Sequence, residues 1–235
     1  MEYEKDDGYY SCQREDILSL LDLRNGIKVL DVGCGYGGAG KLLKTKFKAE
    51  VHGIEINHGA AEKARIHYDS VVRGNIEHDG FSFESNYFDF IICADVLEHL
   101  SDPWRVLRRL KYYLKNDGQL AASIPNIRNA HTIIQLLDGS FDYQEFGVLD
   151  DTHLRFFTHH SSIRLFERSG FKVEKIIRKE NYSDSDRIMD IWKHSRVTDI
   201  TSVLIKKVTG AEVTIGNDFL QDLLTIQFLI TAVKQ

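Results

Sequence analysis

The stretch Val29-Leu30-Asp31-Val32-Gly33-Cys34-Gly35-Tyr36-Gly37-Gly38 reads as a buried strand that runs into a glycine-dense turn and then opens a helix. Glycine has no Cβ, so such a turn brings backbone N–H groups against a ligand. The helix behind it adds the positive end of its dipole. Asp31 stands two residues before the first glycine. A carboxylate at a strand tip beside bare backbone suits a ligand with a cationic group and repels a pyrophosphate.

Working outward, the apolar residues Ile17, Leu18, Leu20 and Leu21 predict an amphipathic helix over 11–23, ended by Asn25-Gly26. Strands are predicted at 28–32, 51–56, 70–73 and 88–94, with helices at 38–47 and 58–68 between them. The 88–94 run is apolar enough to be central. A helix over 103–115 begins at Pro103, where proline is tolerated, and Asp117-Gly118 stops it before a strand at 119–124. This alternation argues for a doubly wound α/β sheet. Beyond Pro125 the pattern loosens into a helix at 127–138, an aromatic stretch over 139–157 and a helix at 158–169. A strand at 171–178, a polar stretch over 181–219 with room for two short helices, and a closing strand at 225–233 complete it. A single domain over 1–235 is expected, with 126–160 and 181–219 as insertions that cap the site. Such segments commonly carry substrate selectivity.

Gly33-x-Gly35-x-x-Gly38 also matches a dinucleotide fingerprint, and Glu55 lies where a ribose-binding acid belongs. Glu55 therefore supports an adenosine ligand without choosing the cofactor. Asp31 does choose, because S-adenosylmethionine carries a sulfonium and an ammonium. The fourth strand runs into Ala94-Asp95-Val96-Leu97-Glu98-His99-Leu100 and then Asp102-Pro103. With VLDVGCGYGGAG and GIEIN in the same order, the chain resembles the class I S-adenosylmethionine-dependent methyltransferases over roughly residues 9–178. Ile124-Pro125-Asn126 and His153–Thr158 resemble a subgroup that acts on sugars and other small hydroxylated metabolites.

The resemblance implies a Rossmann-like, mainly parallel seven-stranded sheet whose last strand is antiparallel. It implies S-adenosylmethionine as cofactor and S-adenosylhomocysteine as product. Asp31 would serve the methionine ammonium, and the backbone of Gly33, Cys34 and Gly35 would line the methionyl and ribose portion. Glu55 would hold the ribose diol, with Ile56 packing on adenine. Asn75-Ile76 occupies the place where the family carries a polar residue for the adenine amino group. The usual residue there is Asp, so Asn75, Ile76 and Glu77 all stay in play. Ala94 and Asp95 would close the site near the methionine. Tyr9, Tyr10 and Arg14 precede the first helix, where an aromatic or arginine folds over the cofactor. Arg14 either neutralises the methionine carboxylate or is a solvated arginine.

Methyl transfer is an in-line displacement, so the protein must align the nucleophile and exclude water. A hydroxyl nucleophile gains from a general base. His99 follows strand 4 at the ligand-binding edge of such sheets, and His131 and His153 lie in the segment expected to cover the pocket. Each of these histidines has a capping or packing alternative. Phe141, Tyr143, Phe146, Phe156 and Phe157 form either an apolar lid or the core beneath a loop. Arg155 suits an anionic group on the substrate, or pairs with Asp150 or Asp151. No His and carboxylate cluster has ligand spacing, so no metal is expected.

A net charge of −5 offers no general attraction to nucleic acid or to an anionic membrane. In the basic stretch 105–111, helix spacing gathers Val106, Leu107, Leu110 and Leu114 into one stripe and leaves the charges on a solvated face. Three cysteines without metal spacing fit a reducing compartment. The acidic N-terminus is no signal peptide, and no apolar run reaches the roughly 20 residues of a membrane span. A cytoplasmic monomer or homodimer acting on a small molecule is expected, with a sugar or glycan as the favoured acceptor. Two rivals stay open. A nicotinamide-dependent oxidoreductase would need a relay such as Tyr-x-x-x-Lys after strand 5, which is absent there. A non-catalytic cofactor-binding partner subunit would keep the glycine loop.

Overall fold

A computed structural model of the chain describes Tyr10, residues 12–180 and residues 217–235, the side chains of 217–220 excepted. Seven strands form one sheet: β1 Lys28–Val32, β2 Glu50–Glu55, β3 Ser70–Arg73, β4 Phe88–Ala94, β5 Leu114–Pro125, β6 Phe171–Glu180 and β7 Thr225–Lys234. Their order is β3-β2-β1-β4-β5-β7-β6. The strands from β3 to β5 pair in parallel, and the last strands are antiparallel. The helices are α1 Glu15–Leu18, α2 Gly38–Phe47, α3 His58–Ala64, α4 Pro103–Tyr113, α5 Ala130–Asp138, α6 His159–Arg168 and α7 Asn217–Leu224. Among the described residues no helix is long and apolar enough to cross a membrane.

Local chemistry explains the boundaries. Asn57 caps α3 by accepting from the Ala60 N–H, and Asp102 caps α4 from the Arg105 N–H, with Pro103 in the first turn. Thr158 and Ser161 form a reciprocal capping box at α6. As the spacing predicted, α4 buries Val106, Leu107 and Leu110, each worth about 1.5–3 kcal/mol of apolar burial. Some basic residues of α4 contact the turn after β3. Arg105 donates to the Glu77 carbonyl and Arg109 to the Asp79 carbonyl.

Three expectations need correction. The helix expected over 11–23 is a single turn, α1, after which turns carry Leu21 into the core. The apolar spacing there meets the core without helical continuation. Asp117-Gly118 does not separate α4 from its strand, because β5 runs through it from Leu114. A Cβ on Gly118 would stand 2.8 Å from the Asp89 carbonyl oxygen, so this glycine permits close strand approach. The aromatic cluster also divides: Phe157 is buried, whereas Phe141, Tyr143 and Phe146 are exposed. The two short helices expected within 181–219 lie outside the described residues up to 216, and α7 begins at Asn217.

The chain divides into two compact units. One comprises Met1–Ile124, Thr152–Ile177 and Leu229–Gln235, the other Pro125–Asp151 and Arg178–Phe228. In the second unit, buried Asn126 donates through its amide to the carbonyls of Asp222 (2.6 Å) and Thr225 (2.9 Å). Asp222 in turn accepts from Arg128 (2.8 Å) and Arg178 (3.2 Å).

Candidate active site

Strand order reverses between β1 and β4, since β2 and β3 continue to one side and β5 to the other. Loops at the carboxyl ends of such strands form the ligand crevice of open α/β sheets. Here they are the glycine turn after β1 and the Asp95 turn after β4. Gly33 and Gly35 have φ of +71° and +53°, a region that favours glycine. The neighbours reinforce this choice. A Cβ on Gly33 would stand 2.8 Å from Val96 Cγ2, and one on Gly35 would stand 2.7 Å from the Tyr10 carbonyl oxygen. Tyr10 thus lies over the turn, accepts from the Tyr36 N–H at 2.9 Å, and stacks its ring on Tyr36 at 5.0 Å.

Asp31 is only 3% exposed. Its Oδ2 accepts from the Tyr68 hydroxyl at 2.5 Å, and that hydroxyl accepts from the Gly40 N–H at 3.1 Å. Burial pushes the Asp31 carboxyl up to about 6, against the opposing pull of the Tyr68 hydrogen bond and of Arg14. Tyr68 was not evident in the sequence. Its ring occupies the space left by missing side chains, for a Cβ on Gly40 would fall 2.2 Å from Tyr68 Cε2.

Glu55 is 5% exposed at the end of β2. One carboxylate oxygen accepts from the Gly35 N–H (2.8 Å) and the other from the Asn57 N–H (2.9 Å). Burial raises its pKa, and these backbone donors oppose the rise. Beside it Ile56 is 53% exposed, an apolar face next to a polar anchor. After β3, Asn75 Oδ1 accepts from the Glu77 N–H at 2.8 Å, and Ile76 is buried. The Glu77 carboxylate accepts from the Ser101 hydroxyl and N–H and from the Asp102 N–H. Glu77 therefore ties this turn to the start of α4.

Ala94 ends β4 half-buried, and Asp95 follows with φ +55°, a conformation costly for a non-glycine residue. Its environment holds it there. The Asp95 N–H donates to Ser123 Oγ (2.9 Å), and that hydroxyl donates to Asp95 Oδ1 (2.7 Å). Arg14 donates to Asp95 Oδ2 at 2.5 Å and to Ser123 Oγ at 2.9 Å. Arg14 is thus no solvated arginine, since its side chain is 12% exposed. Burial opposes its charge, but Asp95 and Asp16 raise its pKa overall. The thiols of Cys34 and Cys93 are buried, and burial pushes both far up, whereas Cys12 is exposed.

The fold brings His99 and His153 together, with ring centroids 4.7 Å apart in an edge-to-face arrangement. His99 closes a 3₁₀ turn, Leu97–His99. Segment 152–155 is pinned to that turn, because the N–H groups of Leu154 and Arg155 both donate to the Glu98 carbonyl at 2.9 Å. The Glu98 carboxylate, 1% exposed, lies between these elements, with Oε1 4.0 Å from His153 Nε2. No sequence spacing announces this Glu98, His99 and His153 group, since the fold assembles it across more than fifty residues. His131 sits instead on α5 in the second unit, exposed and 3.1 Å from the Gln135 amide. Arg155 turns towards the start of α4. Its guanidinium donates to the Ser101 carbonyl and lies 6.0 Å over Trp104.

Comparison with known proteins gives a consistent picture. A family model described as a methyltransferase domain matches residues 6–176. A ubiquinone biosynthesis O-methyltransferase of Neisseria meningitidis is 31% identical over 122 residues, covering 49% of this chain and 50% of that protein. Phosphoethanolamine N-methyltransferase 2 of Caenorhabditis elegans is 30% identical over 118 residues, covering 48% of this chain and 27% of that protein. The chain thus spans half or less of the length of these two curated relatives. A solved SAM-dependent methyltransferase from Archaeoglobus fulgidus superposes with a TM-score of 0.61 at 19% identity, covering 97% of this chain and 94% of that one. At that identity the match speaks for the fold.

Proposed function

The chain belongs to the methyltransferase-domain family, within the class I S-adenosylmethionine-dependent methyltransferases, and on that premise we propose that it methylates a hydroxyl of a small molecule. The favoured acceptor is a sugar or related metabolite, and S-adenosylhomocysteine is the product. One observation carries the cofactor assignment: buried Glu55, oriented by the Gly35 and Asn57 N–H groups, stands beside the exposed apolar surface of Ile56. A fixed carboxylate accepts from a ribose diol, and an apolar face takes adenine.

The other residues fit the same ligand. The backbone of Gly33, Cys34 and Gly35 would line its ribose and methionyl portion, and Asn75 and Ile76 the adenine edge. Asp31 and Asp95 place negative charge where an ammonium would sit, and Ala94 leaves room beside them. Arg14 acts as a positioning residue through its ion pair with Asp95, and Tyr10 covers the turn. S-adenosylmethionine supplies a methyl group made electrophilic by its sulfonium. The protein's part is to align the acceptor, exclude water and take up a proton. His99 and His153 are the candidates for that proton, with His131 a third.

The Neisseria relative's name favours oxygen as the methylated atom, and the Caenorhabditis relative's name keeps an amine as the second reading. Segments 126–160 and 181–219 are assigned to acceptor selectivity. We assign it to the cytoplasm as a monomer or homodimer; the free thiols of Cys12, Cys34 and Cys93 fit a reducing compartment. Calorimetry tests the cofactor assignment, with S-adenosylhomocysteine as ligand and NADH as control. Binding of the homocysteine compound alone, weakened by Glu55→Ala, is expected. Binding of NADH, or of neither, overturns the assignment. Tight binding without turnover across an acceptor panel would point to a non-catalytic partner subunit.

A further inference from the structure

We propose that Glu98, His99 and His153 form a binding site for one divalent transition-metal ion. One ligand atom from each of the three residues lies within 4.8 Å of the other two. Two imidazoles and one carboxylate form a borderline donor set. That set suits Zn²⁺, Mn²⁺, Fe²⁺ or Co²⁺, whereas Mg²⁺ and Ca²⁺ favour oxygen ligands throughout. Ligands at about 2.1 Å from a tetrahedral ion stand about 3.4 Å apart, so metal entry draws the three ligand atoms together, by up to about 1.4 Å for the widest pair.

Three features beyond proximity support the site. First, His99 Nδ1 lies 3.2 Å from the Thr152 carbonyl and 3.0 Å from its hydroxyl. A carbonyl only accepts, so this contact places the proton on Nδ1 and the lone pair on Nε2. Metal-binding histidines are commonly oriented in this way. Second, His153 Nε2 and Glu98 Oε1 are 4.0 Å apart. That is too long for a hydrogen bond and leaves about 0.6 Å for the two atoms to close to the spacing of ligands on a common tetrahedral ion. Third, a carboxylate as buried as Glu98 favours a cation beside it.

Three protein ligands leave coordination positions for water or for an oxygen of the acceptor, and an imidazole whose lone pair holds the ion no longer serves as the base for the acceptor's proton. That use of the ion in hydroxyl methylation rests on the function proposed above, while metal binding itself does not.

The test begins with chelator-stripped full-length protein, titrated with Co²⁺ and read by visible d–d absorption and calorimetry. S-adenosylhomocysteine binding is measured in parallel. One Co²⁺ per chain is expected, with affinity lowered on the order of tenfold or more by Glu98→Gln, His153→Asn or Thr152→Val. Should a variant fail to fold, wild type decides alone, because bound Co²⁺ must produce hyperfine-shifted imidazole protons from His99 and His153. A folded wild-type chain that binds no Co²⁺, or Co²⁺ binding that leaves both imidazoles unshifted, overturns the site. A chain that binds Co²⁺ in this way but not S-adenosylhomocysteine keeps the metal site and sinks the methyl-transfer reading.

Discussion

Replacing Asp31 by Asn should change the pH dependence of stability in a defined direction. An ordinary aspartate carboxyl has a pKa of 3.8, and burial moves Asp31 to about 6. At about 1.4 kcal/mol per pKa unit, ionising it in the folded chain costs about 3 kcal/mol more than in the unfolded chain. Because the folded value is the higher one, this contribution to stability is fully present below pH 3.8. It is lost as pH rises towards 6 and is constant beyond that. Asn cannot ionise, and it retains an acceptor for the Tyr68 hydroxyl. Its amide also introduces donors that need partners, at a cost that does not vary with pH. The diagnostic quantity is therefore the difference in unfolding free energy between variant and wild type, measured by urea titration from pH 4.5 to 8. That difference should shift in favour of the variant by about 2 kcal/mol across the range. Asp69, Glu77 and Asp89, whose pKa values are lowered in the fold, act with the opposite sign. They are common to both chains and cancel. A difference that stays flat with pH, or moves the other way, would refute the burial-driven account of Asp31.

Two further experiments test the supports of the site. Gly40→Ala places a Cβ 2.2 Å from Tyr68 Cε2 and should lower stability by about 1–3 kcal/mol through overpacking. An unchanged urea midpoint would show that Tyr68 moves aside without cost. A double-mutant cycle of Arg14→Met and Asp95→Asn should give a stability coupling of about 1 kcal/mol, since Asn keeps the left-handed backbone tolerable. Additive effects would remove Arg14 from its positioning role.

The sequence was most legible where the cause of structure is local. The bounds of β1, α2, β3 and β4 fall where alternation and glycine signals placed them, because strand and turn propensities act over a few residues. Gly118 was misread because a glycine that ends a helix and one that admits a neighbouring strand look alike in one dimension. The electrostatic framework was harder to see. Tyr68 meets Asp31 across 37 residues and Arg14 meets Asp95 across 81, and no periodicity encodes such encounters. Glu98 illustrates the limit best. Within Leu97-Glu98-His99 it looks like an ordinary helix-start acid, and only segment 152–155 folding back on it gives it two imidazole neighbours.

The uneven burial of the three thiols has a practical consequence. Cys34 and Cys93 are sealed in the core and held protonated, so alkylating reagents at neutral pH should modify the native chain at Cys12 alone. That residue stands two positions before Arg14 and so adjoins the stretch that meets Asp95 and Ser123. A fluorophore attached there would report ligand entry into the crevice in the natural sequence, with no engineered cysteine.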